Sequence, residues 1–486
     1  MRLSSCMHET AQAALLIIGL QRAGLAQSPP ARETAITHVA VVDVTRGRLL
    51  DDQTVIVSGA RIARVGPASS ITVASGTRIL DGRGKFLIPG LWDMHSHVFE
   101  NSSRAASPDM HALAFPLYIA NGVTGVRDMW TTLEEIPLTA RWVQAESDGS
   151  LIGPRVVPTS TMISGPGRGG EQHTIIVTTP EAGRRVVDSL VAGGARTIKV
   201  QNNLSRDAYL AIADEARVRG VPYVGHVTAT MTVREAARAG QHSIEHGTGL
   251  HDGCSREEAA IMRRRSEPSQ SSDPEHRAAL QRFIADTYDD STCRSLATSL
   301  VEHDTWLVPT SVVKTIGTPD DSLRTGHRGY VYAPADARAV WDANRVPDSA
   351  AVAHARANFA RSLRIIGLMA RSGVSIMAGT DVTNSWLTYG FSLQDELALM
   401  TAAGLSPLEA LRTATLNPAR FLQVTDSLGD VATGQIADLV LLDANPLIDI
   451  HNTQRIRAVL RAGHLYDRTA LDSLLARARL VADSMR

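Results

Sequence analysis

Short apolar runs separated by turn residues open the readable part of the chain: Thr37 to Asp43, Thr54 to Ser58, Arg61 to Gly66, Thr77 to Asp81 and Phe86 to Pro89. This punctuated alternation predicts a small β unit. The signal returns near the C-terminus at Ala437 to Asp443 and Ile456 to Ala462. Two strand clusters flanking a long middle predict one discontinuous β-sandwich domain, assembled from segments 31–88 and 425–486. Between them, residues 89–424 alternate strand-like and helical stretches. The strand candidates are Gly90 to His97, Gly122 to Asp128, Arg155 to Thr159, Thr197 to Gln201, Pro222 to Val227, His242 to His246, Trp306 to Pro309 and Val374 to Asp381. Eight βα units of this kind predict an α/β protein built on a (β/α)8 TIM barrel, with its chemistry at the C-terminal strand ends.

Two segments break the rhythm. From Ser255 to Thr305 the chain is polar, with acids and bases interleaved, and is read as an insertion after the sixth strand; a solvated face is expected, with a lid over the pocket as the alternative. At the start, the apolar run Ala13 to Leu20 lies between Arg2 and Gly24-Leu25-Ala26, the layout of a secretory signal. Residues 1–26 are therefore expected to be cleaved, leaving a periplasmic or secreted protein with no membrane segment in its mature form, since a span needs about 20 apolar residues. Cleavage removes Cys6 and leaves Cys254 and Cys293, for which a disulfide and two unpaired thiols are both open.

A net charge of −1 offers no excess of either sign to attract nucleic acid, so a small-molecule or dipeptide substrate is expected; homo-oligomerisation is left open. The strongest chemical signal is Pro89-Gly90-Leu91-Trp92-Asp93-Met94-His95-Ser96-His97. At the strand period of two, both imidazoles share one face, which suits a metal such as zinc. Lys199, His226, His246 and Asp381 each end a short apolar run, so each would project at the same rim. Singly, each has an ordinary explanation: a hydrogen-bonded core histidine, a helix cap or a snorkelling lysine. Together they point to a site. Lys199 is one of only three lysines in a chain whose basic positions are otherwise arginine. An ammonium cannot ligate a cation, so a lysine there must be neutral or converted by carbon dioxide into a carbamate.

The order and spacing of these residues resemble the amidohydrolase superfamily, in its imidazolonepropionase-like and Xaa-Pro or Xaa-Arg dipeptidase branch. The likeness is carried by the Pro89-to-His95 strand, Gly122-Val123-Thr124-Gly125-Val126-Arg127-Asp128, Ile244-Glu245-His246-Gly247, Ala378-Gly379-Thr380-Asp381, Asn417-Pro418-Ala419 and Gly434-Gln435-Ile436-Ala437-Asp438-Leu439-Val440. The resemblance implies that His95, His97 and Asp381 hold one divalent metal and that His226 and His246 hold a second. Both are expected to be zinc, bridged by a CO2-derived carbamate on Lys199. It further implies hydrolysis of an amide or peptide bond, in a dipeptide or an N-acyl amino acid, by a metal-activated hydroxide with Asp381 as proton shuttle. His173, on a glycine-rich loop, is the candidate for polarising the substrate carbonyl. A mononuclear cyclic-amide hydrolase resembling imidazolonepropionase, and a non-catalytic metal-binding relative, are the competing readings.

Overall fold

The computed structural model describes residues 33–99, 108–147, 149–167, 174–265, 274–315, 328–343 and 349–485. The N-terminal strands are β1 (Thr34–Asp43), β2 (Arg48–Ser58), β3 (Arg61–Pro67), β4 (Arg78–Asp81) and β5 (Phe86–Pro89). Parallel strands follow: β6 (Leu91–Ser96), β7 (Val123–Asp128), β8 (Arg155–Pro158), β9 (Ile163–Ser164), β10 (Ile175–Ile176), β11 (Ile198–Val200), β12 (Tyr223–Gly225), β13 (Ser243–Glu245) and β14 (Trp306–Val308). The chain closes with β15 (Leu439–Leu442), β16 (Ile456–Arg461) and β17 (His464–Asp467).

Strands from both ends of the chain meet in one eight-stranded mixed sheet, ordered β17-β16-β15-β5-β1-β2-β3 with β4 also on β1. The join is β5, which runs parallel to β1 and antiparallel to β15. The period-two pattern works as expected here. Ile36, Val39, Val41, Val55, Val57, Leu87, Leu439, Leu441 and Leu460 form a separate apolar core under this sheet.

The middle of the chain alternates strands with helices, among them Pro108–Ala120, Pro180–Ala192, Arg206–Val218, Asp290–Glu302 and Ser349–Arg371. β6, β7 and β8 pair in parallel, as do β10-β9-β11-β12-β13-β14. Seven of the eight expected barrel strands appear. The eighth, Val374 to Asp381, does not form a ladder strand. It makes only isolated parallel bridges, Ile376 to Leu307 and Val382 to Ser96, which still link β14 to β6. One reason lies in its hydrogen bonds: the Ala378 N–H donates to Thr413 O rather than to a neighbouring strand. A second is crowding. A Cβ on Gly379 would lie 2.6 Å from Val308 Cγ1 and 2.7 Å from His95 Cβ, so only glycine lets this segment press against β6.

The polar stretch 255–305 proves to be mixed. Ile261, Leu280 and Ile284 make a small core of their own, whereas Asp290–Glu302 buries Cys293, Leu296, Ala297 and Leu300 in the main core as an ordinary barrel helix. A disulfide joins Cys254 to Cys293 across 39 residues. Closing a loop of that length restricts the unfolded chain and stabilises the fold by about 2–4 kcal/mol. The C-terminal helix Arg468–Ser484 turns away from the terminal sheet and buries Leu471, Leu474, Ala478 and Ala482 in the same core as the Pro108–Ala120 helix. Among the described residues no helix is long and apolar enough to cross a membrane. The leader segment 1–26 lies outside them.

Candidate active site

At the C-terminal ends of the parallel strands lies a cleft of about 240 Å3, lined by His95, His97, Lys199, His226, His246 and Asp381 together with Trp130, Met162, Gln201, Thr383 and Asn384. Six of the seven residues singled out in the sequence therefore share one cavity. His173 lies outside the described residues.

Asp381 is the hub. Its Oδ1 accepts a hydrogen bond from His97 Nε2 at 2.9 Å and lies 3.3 Å from His95 Nε2, while its Oδ2 is 3.8 Å from His246 Nδ1. Ligand atoms of His95, His246 and Asp381 all fall within 4.8 Å of one another. Asp381 and His246 both adopt left-handed backbone, φ 59° and 60°. Such positions cost about 1–3 kcal/mol each and persist only where surrounding structure enforces them. Here the Asp381 N–H is fixed to His95 O at 2.7 Å and the His246 N–H to Val308 O at 2.8 Å.

Three of the four histidines are oriented from behind. His95 Nδ1 lies 2.7 Å from Glu245 Oε2; Glu245 Oε1 accepts from Arg127 Nη2 at 2.9 Å and from the Ser243 hydroxyl. Arg127 Nε in turn donates to Met94 O at 2.7 Å, so the guanidinium is wedged between β6 and β13 with both partners fully buried. His226 Nδ1 lies 2.5 Å from Asn202 Oδ1, and His246 Nδ1 2.7 Å from Thr310 Oγ1. Asp128, at the end of β7, accepts from the Val98, Phe99 and Trp130 N–H groups and the Thr131 hydroxyl, tying down the backbone on both sides of the His97 rim.

Electrostatics follow from burial and neighbours. Burial opposes ionisation of Asp381, but the charges and hydrogen bonds of His246, His95 and His97 outweigh it and hold the carboxyl well below its ordinary range. His97 moves the other way: desolvation lowers it, yet the Asp381 carboxylate raises it further. His246 is pushed down to about 3, first by burial, and His226 well below its ordinary value for the same reason. Burial also lowers Lys199 to about 8, so a neutral amine is within reach near neutral pH.

Glu245, Arg127, Asn202, Thr310 and Asp128 were not picked out from the sequence, which was searched for ligand types at strand ends. A signal for two of them existed: Ser243 and Glu245 share a face of β13 at the strand period, and Arg127 is a charge near the end of a strand buried along its whole length. His242, at the opposite end of β13, packs its ring on Phe421 with centroids 4.7 Å apart, away from the cleft.

The cleft at the ends of the parallel strands gathers a histidine–aspartate cluster whose donor atoms could hold a metal ion. The chain belongs to the amidohydrolase family, hydrolases of carbon–nitrogen bonds; the family profile matches residues 86–466. Solved structures similar to it over its length include the following two. A bottromycin amidohydrolase shares 23% identity over 94% of this chain and 91% of its own, with a TM-score of 0.72. A Xaa-Pro dipeptidase with bound methionine shares 20% identity over 90% of this chain and 100% of its own, with a TM-score of 0.62. Amidohydrolase neighbours of this kind imply an α/β fold of the TIM-barrel type. Adenine deaminase 3 of Rhizobium meliloti (strain 1021) is 34% identical over 107 residues, 20% of this chain and 18% of that protein, so the chain spans about a fifth of the length of this curated relative.

Proposed function

We propose that this protein is a metal-dependent hydrolase of an amide or peptide bond in a dipeptide or N-acyl amino acid. The observation that carries the reading is the convergence of His95, His97, Lys199, His226, His246 and Asp381 on one cleft. The donor set fits divalent metal. His97 Nδ1 is buried without a hydrogen-bond partner, and His95, whose Nε2 faces Asp381 Oδ1 at 3.3 Å, has its other nitrogen engaged by the Glu245 carboxylate, the arrangement that orients a metal-binding imidazole. His95, His97 and Asp381 would hold one ion, His226 and His246 a second, with zinc the expected identity for this nitrogen-and-oxygen set. Lys199 would bridge them after its neutral Nζ adds to carbon dioxide and loses a proton. When bound, such ions polarise the substrate carbonyl and lower the pKa of water.

The chain's own residues supply the rest. Asp381, held ionised by its histidines, accepts a proton from the attacking water at a carboxylate oxygen and delivers it to the leaving nitrogen. Its low proton affinity means that delivery depends on position, and the backbone clamp to His95 O provides that position. His173 is assigned to the substrate carbonyl in the same reading. The parallel strands are taken as a closed barrel spanning 89–424 and the terminal sheet as a β-sandwich unit. The disulfide between Cys254 and Cys293 supports an oxidising compartment, so a periplasmic or secreted location after removal of residues 1–26 belongs to this proposal.

A single-metal hydrolase of a cyclic amide is favoured by one observation: among the described residues, the compact donor cluster comprises His95, His246 and Asp381 alone. Metal analysis with hydrolysis of a dipeptide and N-acyl amino acid library separates the two. Two metals per chain, lost in Lys199→Ala, together with activity reduced about a hundred- to ten-thousandfold in Asp381→Asn, are expected. One metal, unaffected by Lys199→Ala, would overturn the bridged pair.

A further inference from the structure

Asp381 is held at both carboxylate oxygens, and by different parts of the chain. His97 Nε2 donates to Oδ1 at 2.9 Å, on the side of the hub. Oδ2 accepts from Asn384 Nδ2 at 2.7 Å, and the same amide group donates to Asp381 O at 2.7 Å. Both partners can only accept, so Asn384 must present its nitrogen to them, and chemistry alone fixes which way the amide faces. Asn384 lines the cleft beside Asp381 but is itself exposed, on a turn outside any helix or strand. The turn is fixed by Trp386. Its backbone is left-handed, φ 65°, a conformation that a bulky side chain adopts only where its surroundings enforce it. Here the surroundings are aromatic. The Trp386 ring stacks on Trp341 with centroids 5.4 Å apart and on Tyr330 at 5.9 Å, and those two rings lie 6.4 Å from each other. Tyr330 and Trp341 belong to the segment that follows β14, where Trp341 is buried. Two left-handed residues, Asp381 at φ 59° and Trp386, therefore bracket Asn384, and the Leu387 N–H closes the turn on Asn384 O at 3.1 Å.

We infer that Asn384 is a positioning residue for Asp381, and that Trp386, seated against Tyr330 and Trp341, holds Asn384 where it can act. Oδ1 is the oxygen turned toward His95 and His97. Oδ2 is then the oxygen presented to the proton, and its direction is set by the Asn384 amide rather than by the hub. Asp381 enters here as the proton shuttle of the amide-hydrolase reading, on which the inference rests. Precision of this kind matters, because misplacing a reacting group by about 1 Å costs about a hundredfold in rate. The segment after β14 thus bears on the reaction through a stack of rings and one amide.

The test uses the intact chain. In the metal-loaded enzyme, assayed with the dipeptide and N-acyl amino acid library, Asn384→Ala is expected to lower kcat about ten- to a hundredfold, the size of a hydrogen bond to a charged group, with KM changed by less than about twofold and metal content at the wild-type level. Trp386→Ala is expected to match it. Trp386→Phe keeps a ring in the stack and restores most of the rate, and Asn384→Ala combined with Trp386→Ala loses no more than Asn384→Ala alone, because both act through one contact. Wild-type kcat in Asn384→Ala, a loss confined to KM, or additive losses in the double variant would overturn the proposal; the Asn384→Ala and Trp386→Phe results stand even if Trp386→Ala fails to fold. A second readout needs neither metal nor substrate. In NMR of the metal-free protein the Asn384 side-chain amide protons are expected to exchange slowly with solvent in the wild type and in Trp386→Phe, and fast in Trp386→Ala and Asp381→Ala. Fast exchange in the wild type would overturn the proposal. Should the wild type cleave nothing in the library, the hydrolase reading fails separately, and the exchange rates decide whether Trp386 holds the Asn384 amide on Asp381.

Discussion

His95 is backed by a charge, and His226 and His246 are backed by neutral oxygens. Behind His95 stand the Glu245 carboxylate and the Arg127 guanidinium, all of them essentially excluded from solvent. Behind His226 and His246 stand the Asn202 amide and the Thr310 hydroxyl. A carboxylate on the remote nitrogen fixes the tautomer and raises ligand basicity, whereas a neutral partner fixes orientation with less electronic effect. Burial runs the same way: it holds His226 and His246 well below the ordinary imidazole value, which favours the neutral ring near neutral pH. The cleft thus has one side held by a desolvated ion pair that also cements β6, β7 and β13, and one side held by exchangeable hydrogen bonds. The first is bound up with folding. The second can be altered without unfolding the barrel.

The sharpest way to break the comparison is at Glu245. Glu245→Ala strands the Arg127 charge in the core, and removal of one partner from a buried pair costs about 3–5 kcal/mol. Denaturant unfolding of the metal-free protein measures this directly. A cost below about 1 kcal/mol would show that Arg127 reaches water or another carboxylate, and the contrast between the two sides would fall.

Acid is the next lever, and the sign can be worked out for each group. His246 falls from an ordinary 6.5 to about 3, so between those values the unfolded chain binds a proton that the fold refuses. Its stabilising contribution is complete above about pH 6.5 and is lost as pH falls, at about 1.4 kcal/mol per pH unit for a single group. His226 acts in the same direction, and Asp381 joins below the ordinary carboxylate range. His97 opposes them in a different window: its raised pKa gives stability that is present below pH 6.5 and disappears above it. In the metal-free protein His246→Asn should therefore lower the slope of unfolding free energy against pH by about one proton between about pH 3.5 and 6.5, relative to the wild type. An unchanged slope would mean that His246 is hydrated rather than buried as a neutral ring.

How much of this was legible in the sequence depends on which interaction set each feature. The strand positions were legible because β6, β7, β11, β12, β13 and β14 are short apolar runs bounded by turn residues, and the ligands were legible because chemistry at a barrel rim needs particular residue types. The failure of Val374 to Asp381 to form a ladder was not, since it comes from the close approach of Gly379 to His95 and from the Ala378–Thr413 hydrogen bond, both long-range. The support behind the histidines was hidden for a related reason. Asn202 and Thr310 lie in loops after β11 and β14, and nothing local tells an amide or hydroxyl that meets a histidine from one that meets water. The disulfide was an open choice in sequence because a separation of 39 residues says nothing of distance.

The smallest expected effect is also the one that most directly separates structure from metal binding. Asn202→Ala and Thr310→Val each remove a neutral partner from one imidazole nitrogen, at about 1 kcal/mol of stability. That is less than the cost of Glu245→Ala by several-fold, and the barrel should remain folded. Loss of a remote hydrogen bond to a metal-binding histidine nevertheless weakens metal affinity by about 10–100-fold. If the proposed pair of ions is bound, competition with a chelator should strip one equivalent from either variant at a lower chelator concentration than from the wild type, while the equivalent on the His95 side is retained. If both equivalents leave together, the two positions are coupled as one unit, as a Lys199 bridge spanning them would require, and the division between a charged and a neutral side would describe folding alone.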